Sequence, residues 1–224
     1  MLRAKTWLNI ITMSKITCPN CNFANTCRVV YGMPDYTDRL ERDLEAGKVH
    51  LGGCLVNDLD SNRHCNDCEI DFDTKAPNIY LDIDGVLLAN DLTPANYVKE
   101  FLATVLEKYP YTIYWLTTHC DGDASVPIQH IGHLFDKETV ELMRKIKPTS
   151  WQTAKTRAIN FDKPFLWFDD DLFYEEKETL KKYNLLDNWI EVDLAKNPNQ
   201  LAEFVTSLPL PIMSPKVVES IVGS

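Results

Sequence analysis

The sequence predicts an α/β protein, a parallel sheet with helices on both faces, preceded by a small cysteine-bearing domain. Three observations carry that reading. From residue 78 onward, apolar runs rich in aromatic and β-branched residues alternate with segments whose apolar residues recur at helical spacing, the pattern of β-α-β units. Three of those runs end in acidic or hydroxyl side chains, where a parallel sheet presents its binding crevice. Ahead of them lie six of the seven cysteines, four of them in two Cys-x-x-Cys pairs.

The small domain comes first. Cys18-Pro19-Asn20-Cys21 and Cys65-Asn66-Asp67-Cys68 each present two thiolates from one tight turn, and two such turns complete a tetrahedral four-sulfur Zn²⁺ site. The odd cysteine count and the paired spacing favour metal binding in a reducing, cytoplasmic setting over a disulfide framework. A redox pair and free cysteines are the competing readings, but no redox βαβ pattern surrounds either pair. Asn22 follows the first pair, where a residue tolerant of positive φ is useful; Glu69 follows the second and suits that position less well. Between them, a helical pattern around Leu40 and Leu44 is stopped by Gly47, and Lys48 to Cys54 reads as a strand.

With Cys-Pro-x-Cys, Tyr-Gly-x-Pro at Tyr31, Leu-Gly-Gly-Cys at Leu51 and Cys-x-x-Cys in that order, residues 16 to 72 resemble small bacterial zinc-ribbon modules. The resemblance implies a fold and says little about a ligand. Cys27, Cys54, His50 and His64 are spare metal-ligand candidates, of types that are more often buried thiols or surface histidines. Residues 15 to 75 hold seven Lys or Arg against eleven Asp or Glu, a balance of −4 that disfavours a grip on a phosphate backbone. A protein partner, or structural support for the next domain, fits better.

Thr74-Lys75-Ala76-Pro77 reads as the junction, which divides the chain into an N-terminal extension (1–14), a zinc-ribbon-like domain (15–75), an α/β domain (76–208) and a weakly ordered tail (209–224). The α/β domain opens with Asn78 to Leu88, an apolar strand carrying Asp82 and Asp84 two residues apart, hence on one side, followed by Gly85. Two carboxylates this close repel unless a cation intervenes. Thr93-Pro94 supplies an N-cap and first-turn proline for a helix bearing Tyr97, Val98, Phe101, Leu102, Val105 and Leu106. Tyr111 to Thr118 is the next strand, then a loop, a helix from Asp136 to Ile146 and another beginning near Ser150. Pro164 to Asp171 is a strand running into a helix from Leu172 to Leu186; Trp189 to Val192 and a helix capped by Asn197-Pro198 complete a Rossmann-like pattern.

Composition excludes several roles. A formal charge of −10 opposes broad attraction to nucleic acid or anionic membranes, and no apolar run approaches bilayer length. Residues 1 to 12 are too short and interrupted for a secretory signal, and Met13 competes with Met1 as the start.

The strand ends bring together Asp82 and Asp84, Thr117, and Asp169 with Asp170; Lys155 lies just before the last of these strands. An acid pair, a hydroxyl, a cation and a second acid cluster suit phosphoryl transfer with oxygen ligands for Mg²⁺. Asp82-Ile83-Asp84-Gly85, Thr117, Lys155 and Asp169-Asp170, in that order, resemble the four motifs of the haloacid dehalogenase (HAD) superfamily over residues 77 to 208. The resemblance implies that Asp82 attacks phosphorus to form an aspartyl-phosphate and that Asp84 protonates the leaving group, then activates water. Thr117 and Lys155 would hold phosphoryl oxygens, and Mg²⁺ would sit on Asp82, the Asp84 carbonyl and Asp169 or Asp170. Thr118 competes with Thr117 and Arg157 with Lys155; Asp171 either joins the metal or caps the next helix. Within the resemblance, Asp84 implies a phosphatase acting on a phosphomonoester rather than a dehalogenase; the short spans on either side of Thr117 imply a nearly capless member, and by analogy the open sites of this superfamily serve bulky substrates. A regulatory, protein-binding module with an inactive or partner-capped HAD fold, and a phosphotransferase, are the alternatives.

Overall fold

The computed structural model describes residues 16–54 and 61–209, and the chain divides into two compact units, Met1–Thr74 and Lys75–Ser224. The expected N-terminal extension and the tail beyond residue 209 fall outside the described residues.

The first unit is a mixed four-stranded sheet. Strand β1 (Thr26–Val30) runs parallel to β2 (Val49–Leu51) and antiparallel to β3 (Arg63–Cys65), which pairs antiparallel with β4 (Ile70–Phe72). Parallel neighbours need a crossover, and helix α1 (Asp38–Glu45) supplies it. Thr37 caps α1 by accepting the Leu40 N–H at 3.2 Å, and Gly47 leaves the helix at φ 62°. The turn joining β3 to β4 is the second Cys-x-x-Cys. Glu69 does adopt the left-handed conformation there, at φ 54°, matching Asn22 at φ 62° after the first pair. In each turn the same bond closes the loop: Asn22 N–H to the Cys18 carbonyl and Glu69 N–H to the Cys65 carbonyl, both 2.9 Å.

The second unit is built on a four-stranded, wholly parallel sheet in the order β6-β5-β7-β8, from β5 (Asn78–Leu81), β6 (Ile113–Trp115), β7 (Phe165–Asp169) and β8 (Trp189–Glu191). Alternate side chains of each strand enter two separate cores. Ile79, Leu81, Ile113, Trp115, Leu166 and Phe168 pack with α2 (Val98–Lys108), α4 (Lys137–Met143) and α6 (Gln200–Thr206). Tyr80, Leu116, Phe165 and Trp167 pack on the opposite face with Leu180 of α5 (Tyr174–Lys182). Burial on both faces is why these strands read as continuous apolar runs. The chain crosses from β5 to β6 on one side and returns to β7 on the other, so β5 stands at the topological switch point, where open α/β sheets bind ligands. No helix among the described residues is long and apolar enough to cross a membrane.

Three local expectations are corrected. Strand β5 ends at Leu81 rather than continuing to Leu88, because the Ile83 carbonyl accepts N–H groups from Val86, Leu87 and Leu88 and turns the chain. Thr93-Pro94 does not start a helix. The Asp91 carboxylate takes both the N–H and the hydroxyl of Thr93, and α2 begins only after Tyr97, which is left-handed at φ 62°. The helix expected near Ser150 is one 3₁₀ turn at Lys155–Arg157. Thr149 and Ser150 are drawn instead to the Trp115 carbonyl and the Asp121 carboxylate, each at 2.5 Å.

Candidate active site

Ladder bonds place the acids. The Asp82 N–H donates to the Phe168 carbonyl at 3.0 Å, so Asp82 at the end of β5 lies beside Asp169 at the end of β7. On the other flank the Leu116 N–H donates to the Leu81 carbonyl, which brings Thr117 to the same edge. Asp82, Asp169 and Asp170 together offer carboxylate oxygens within 4.8 Å of one another.

Lys155 sits among them, its Nζ 2.5 Å from Asp82 Oδ2 and 2.6 Å from Asp169 Oδ2, with all three side chains no more than 10% exposed. Burial opposes the charge on Lys155, but Asp82 and Asp169 outweigh it and raise its pKa. Burial first and the Asp82 charge second push Asp169 up to about 7, against the pull of Lys155. Asp170 is also raised, by burial and then by Asp82. Three carboxylates facing one ammonium leave an excess of negative charge, and a hard divalent cation with oxygen ligands fits that donor set.

The alternatives offered by the sequence differ in burial. Arg157 and Thr118 are exposed, whereas Lys155 and Thr117 are buried. Asp171 is exposed, and its carboxylate accepts the Leu172 N–H at 2.8 Å. Asp84 departs from expectation: its side chain is 52% exposed, stands outside the three-carboxylate group, and meets His119 Nε2 at 2.8 Å.

Three supporting residues carry no motif. Trp167 Nε1 donates to Asp169 Oδ2 at 2.8 Å. Glu176, buried, accepts the Lys155 N–H at 2.8 Å and the Phe173 N–H at 3.2 Å, tying the lysine's turn to the start of α5. Its place three residues after Phe173 is half of a capping box, hidden because the usual Ser or Thr is a phenylalanine. His119 lies two residues beyond Thr117, and its N–H donates to Thr117 Oγ1 at 3.3 Å.

Gly85 makes the cluster compact. Its φ is +72°, and a Cβ there would stand 2.2 Å from Asp170 Cγ. Gly85→Ala is expected to cost at least about 1 kcal/mol from the left-handed backbone alone, and more as Asp170 is displaced. Urea titration of the purified protein checks this; an unchanged midpoint would show that the turn relaxes.

In the first unit, Cys18, Cys21, Cys65 and Cys68 converge. The Sγ separations are 3.6 Å for Cys18–Cys68, 3.6 Å for Cys21–Cys65 and 3.8 Å for Cys21–Cys68. Tetrahedral thiolates at the usual Zn–S length of about 2.3 Å stand about 3.8 Å apart, so the four can bind a metal such as zinc. Burial pushes the Cys18 thiol up to about 12. At Cys65, N–H groups of Cys68 and Asp67 overcome burial and bring the thiol to about 7.

His50, His64 and Asp71 also gather in this unit, with His64 Nδ1 2.7 Å from Asp71 Oδ1. The imidazoles are stacked 3.7 Å apart and only 4° from parallel. Lone pairs lying in two parallel planes do not meet at one ion, so this arrangement is a hydrogen-bonded pair rather than a ready metal site. Cys27 and Cys54 stand outside the thiol cluster, buried and exposed respectively.

The chain matches no protein-family model, no curated protein and no solved structure.

Proposed function

We propose that the protein is a Mg²⁺-dependent phosphohydrolase of the HAD type, acting through an aspartyl-phosphate, with a zinc-ribbon module at its N-terminal side. The observation that carries this reading is the convergence of Asp82, Asp169 and Asp170 around buried Lys155 at the carboxyl ends of adjacent parallel strands. A fold needs no such concentration of buried charge, since breaking even one partner leaves an uncompensated ion.

In this reading Asp82, Asp169 or Asp170 and the Asp84 carbonyl would hold Mg²⁺, which would supply charge neutralisation for the phosphoryl oxygens. The Asp82 carboxylate is the nucleophile, aligned by the Ile83 N–H on Oδ1 at 2.7 Å and by Lys155 on Oδ2. Lys155 and the Thr117 hydroxyl hold phosphoryl oxygens. Asp84, half exposed, faces solvent, where a leaving alcohol would depart and water would arrive. Helix α2 is the one helix between β5 and β6, and only short helical segments, α3 (Ser125–Ile131), α4 and the 3₁₀ turns Gly132–Leu134 and Lys155–Arg157, lie between β6 and β7. With no inserted lid domain among the described residues, a bulky phosphomonoester fits.

The test is phosphate release from a broad phosphomonoester panel, with and without Mg²⁺, for wild type and Asp82→Asn. Mg²⁺-dependent release that falls by about 10³-fold or more in a folded Asp82→Asn variant is expected. Folded wild type inert across the panel overturns the reading and favours a binding module; alkyl phosphate products formed with added alcohols would identify a phosphotransferase.

A further inference from the structure

Asp84 needs something to aim it. It lies past the end of β5 in a turn, its side chain is 52% exposed, and Lys155, which fixes Asp82 and Asp169, does not reach it by any hydrogen bond. A half-exposed carboxylate left to itself rotates freely, whereas proton delivery needs a group held within hydrogen-bond reach of the departing oxygen. Its partner is His119 Nε2, 2.8 Å from Asp84 Oδ2.

His119 is itself held from two sides. Its N–H donates to Thr117 Oγ1 at 3.3 Å, which ties it to the end of β6, and its ring stacks on His130 of α3 with centroids 4.4 Å apart and planes 26° from parallel. A stacked ring with an anchored backbone has little freedom, so it can orient the more mobile carboxylate beside it.

We propose that His119, backed by His130, is the positioning residue for Asp84 in phosphoester cleavage, an inference that rests on the phosphohydrolase reading above. With Nε2–H donating to Oδ2, the proton that Asp84 transfers is carried on Oδ1, and the carboxyl plane is set. As Asp82 forms its bond to phosphorus and the P–O bond to the leaving group breaks, Asp84 gives that proton to the departing oxygen and becomes a carboxylate. The carboxylate then takes a proton from the water that attacks the aspartyl-phosphate, which releases inorganic phosphate and restores both Asp82 and the protonated Asp84. His119 gains and loses no proton in this sequence; it keeps one oxygen occupied and the other aimed.

Leaving-group dependence tests the proposal. An alkyl alcohol must be protonated as it leaves, whereas p-nitrophenol departs readily as an anion. His119→Ala is expected to lower kcat on the best alkyl phosphomonoester of the panel by about 10²-fold, at least tenfold more than on p-nitrophenyl phosphate, with KM little changed. His119→Gln, which retains an N–H donor, is expected to recover part of the loss. In an Asp84→Asn background the His119→Ala substitution is expected to add almost nothing, because the group it positions is gone. Equal losses on both substrates, no recovery with glutamine, or an undiminished effect in the Asp84→Asn background would overturn the proposal and leave the phosphohydrolase reading intact. A folded wild type inert on every phosphoester overturns both.

Discussion

Lys155→Ala is expected to destabilise the α/β unit by about 3–5 kcal/mol at neutral pH, the effect of removing one partner from a buried charge cluster. The lysine contributes the only ammonium bonded to Asp82 and Asp169 among the described residues, and all three side chains are nearly sealed from water. Without it, the Asp82 and Asp169 carboxyl groups face each other in a medium that solvates neither when charged. The penalty depends on pH in a direction the site dictates. Burial, then the Asp82 charge, push the Asp169 carboxyl from 3.8 up to about 7 in the folded protein, and loss of Lys155 removes the pull that holds it down. A raised carboxyl pKa adds stability that is fully present below the unfolded value and is lost as pH rises through the folded one. The variant should therefore go on losing stability above about 7, where wild type has completed its loss, so the gap between the two widens as pH rises past 7. Urea midpoints on both sides of that pH, with Lys155→Met as the control for the lost aliphatic stem, check this. A Lys155→Ala midpoint equal to wild type at pH 7 would show that the charges are not coupled as the distances require.

The residues legible in the sequence were those whose chemistry coincides with a strand end. Asp82, Thr117 and Asp169 each terminate an apolar run, and the ladder of β6, β5 and β7 sets them side by side. Lys155 was legible as a cation at the right distance along the chain, though not its turn: its N–H is taken by Glu176, 21 residues on, instead of continuing a helix. Such a long-range substitute for a local bond leaves no periodicity to read. The same is true of Asp84. Two-residue spacing predicts that Asp82 and Asp84 share a side, but the turn at the Ile83 carbonyl ends the alternation and sends Asp84 to His119. Glu69 shows the reverse case, in which a residue poorly suited to positive φ adopts it because the closing bond to the Cys65 carbonyl requires that turn.

Removal of metal from the cysteine cluster is expected to unfold the first unit and leave the second folded. Among the described residues of the first unit, Val49 and Phe72 are the only buried apolar side chains that are not cysteines. Each contributes about 1.5–3 kcal/mol on burial, against an ordering cost of about 1–2 kcal/mol for every residue fixed. Four strands of three to five residues and one eight-residue helix cannot close that gap unaided. Structural zinc supplies about 10–16 kcal/mol at neutral pH, enough to decide the balance. The second unit has two large cores of its own, with Trp115, Trp167, Phe101, Phe165 and Phe168 fully buried, and needs no such contribution. Treatment with a strong chelator should therefore release one zinc per chain and collapse the amide dispersion of residues 16–54 and 61–74 in a heteronuclear NMR spectrum, while the signals of residues 78–206 persist. Cys65→Ser should reproduce the collapse without chelator, because it removes one of the four sulfur ligands. A chelated protein that keeps the dispersion of both units would show that sheet pairing and the small core suffice without a metal.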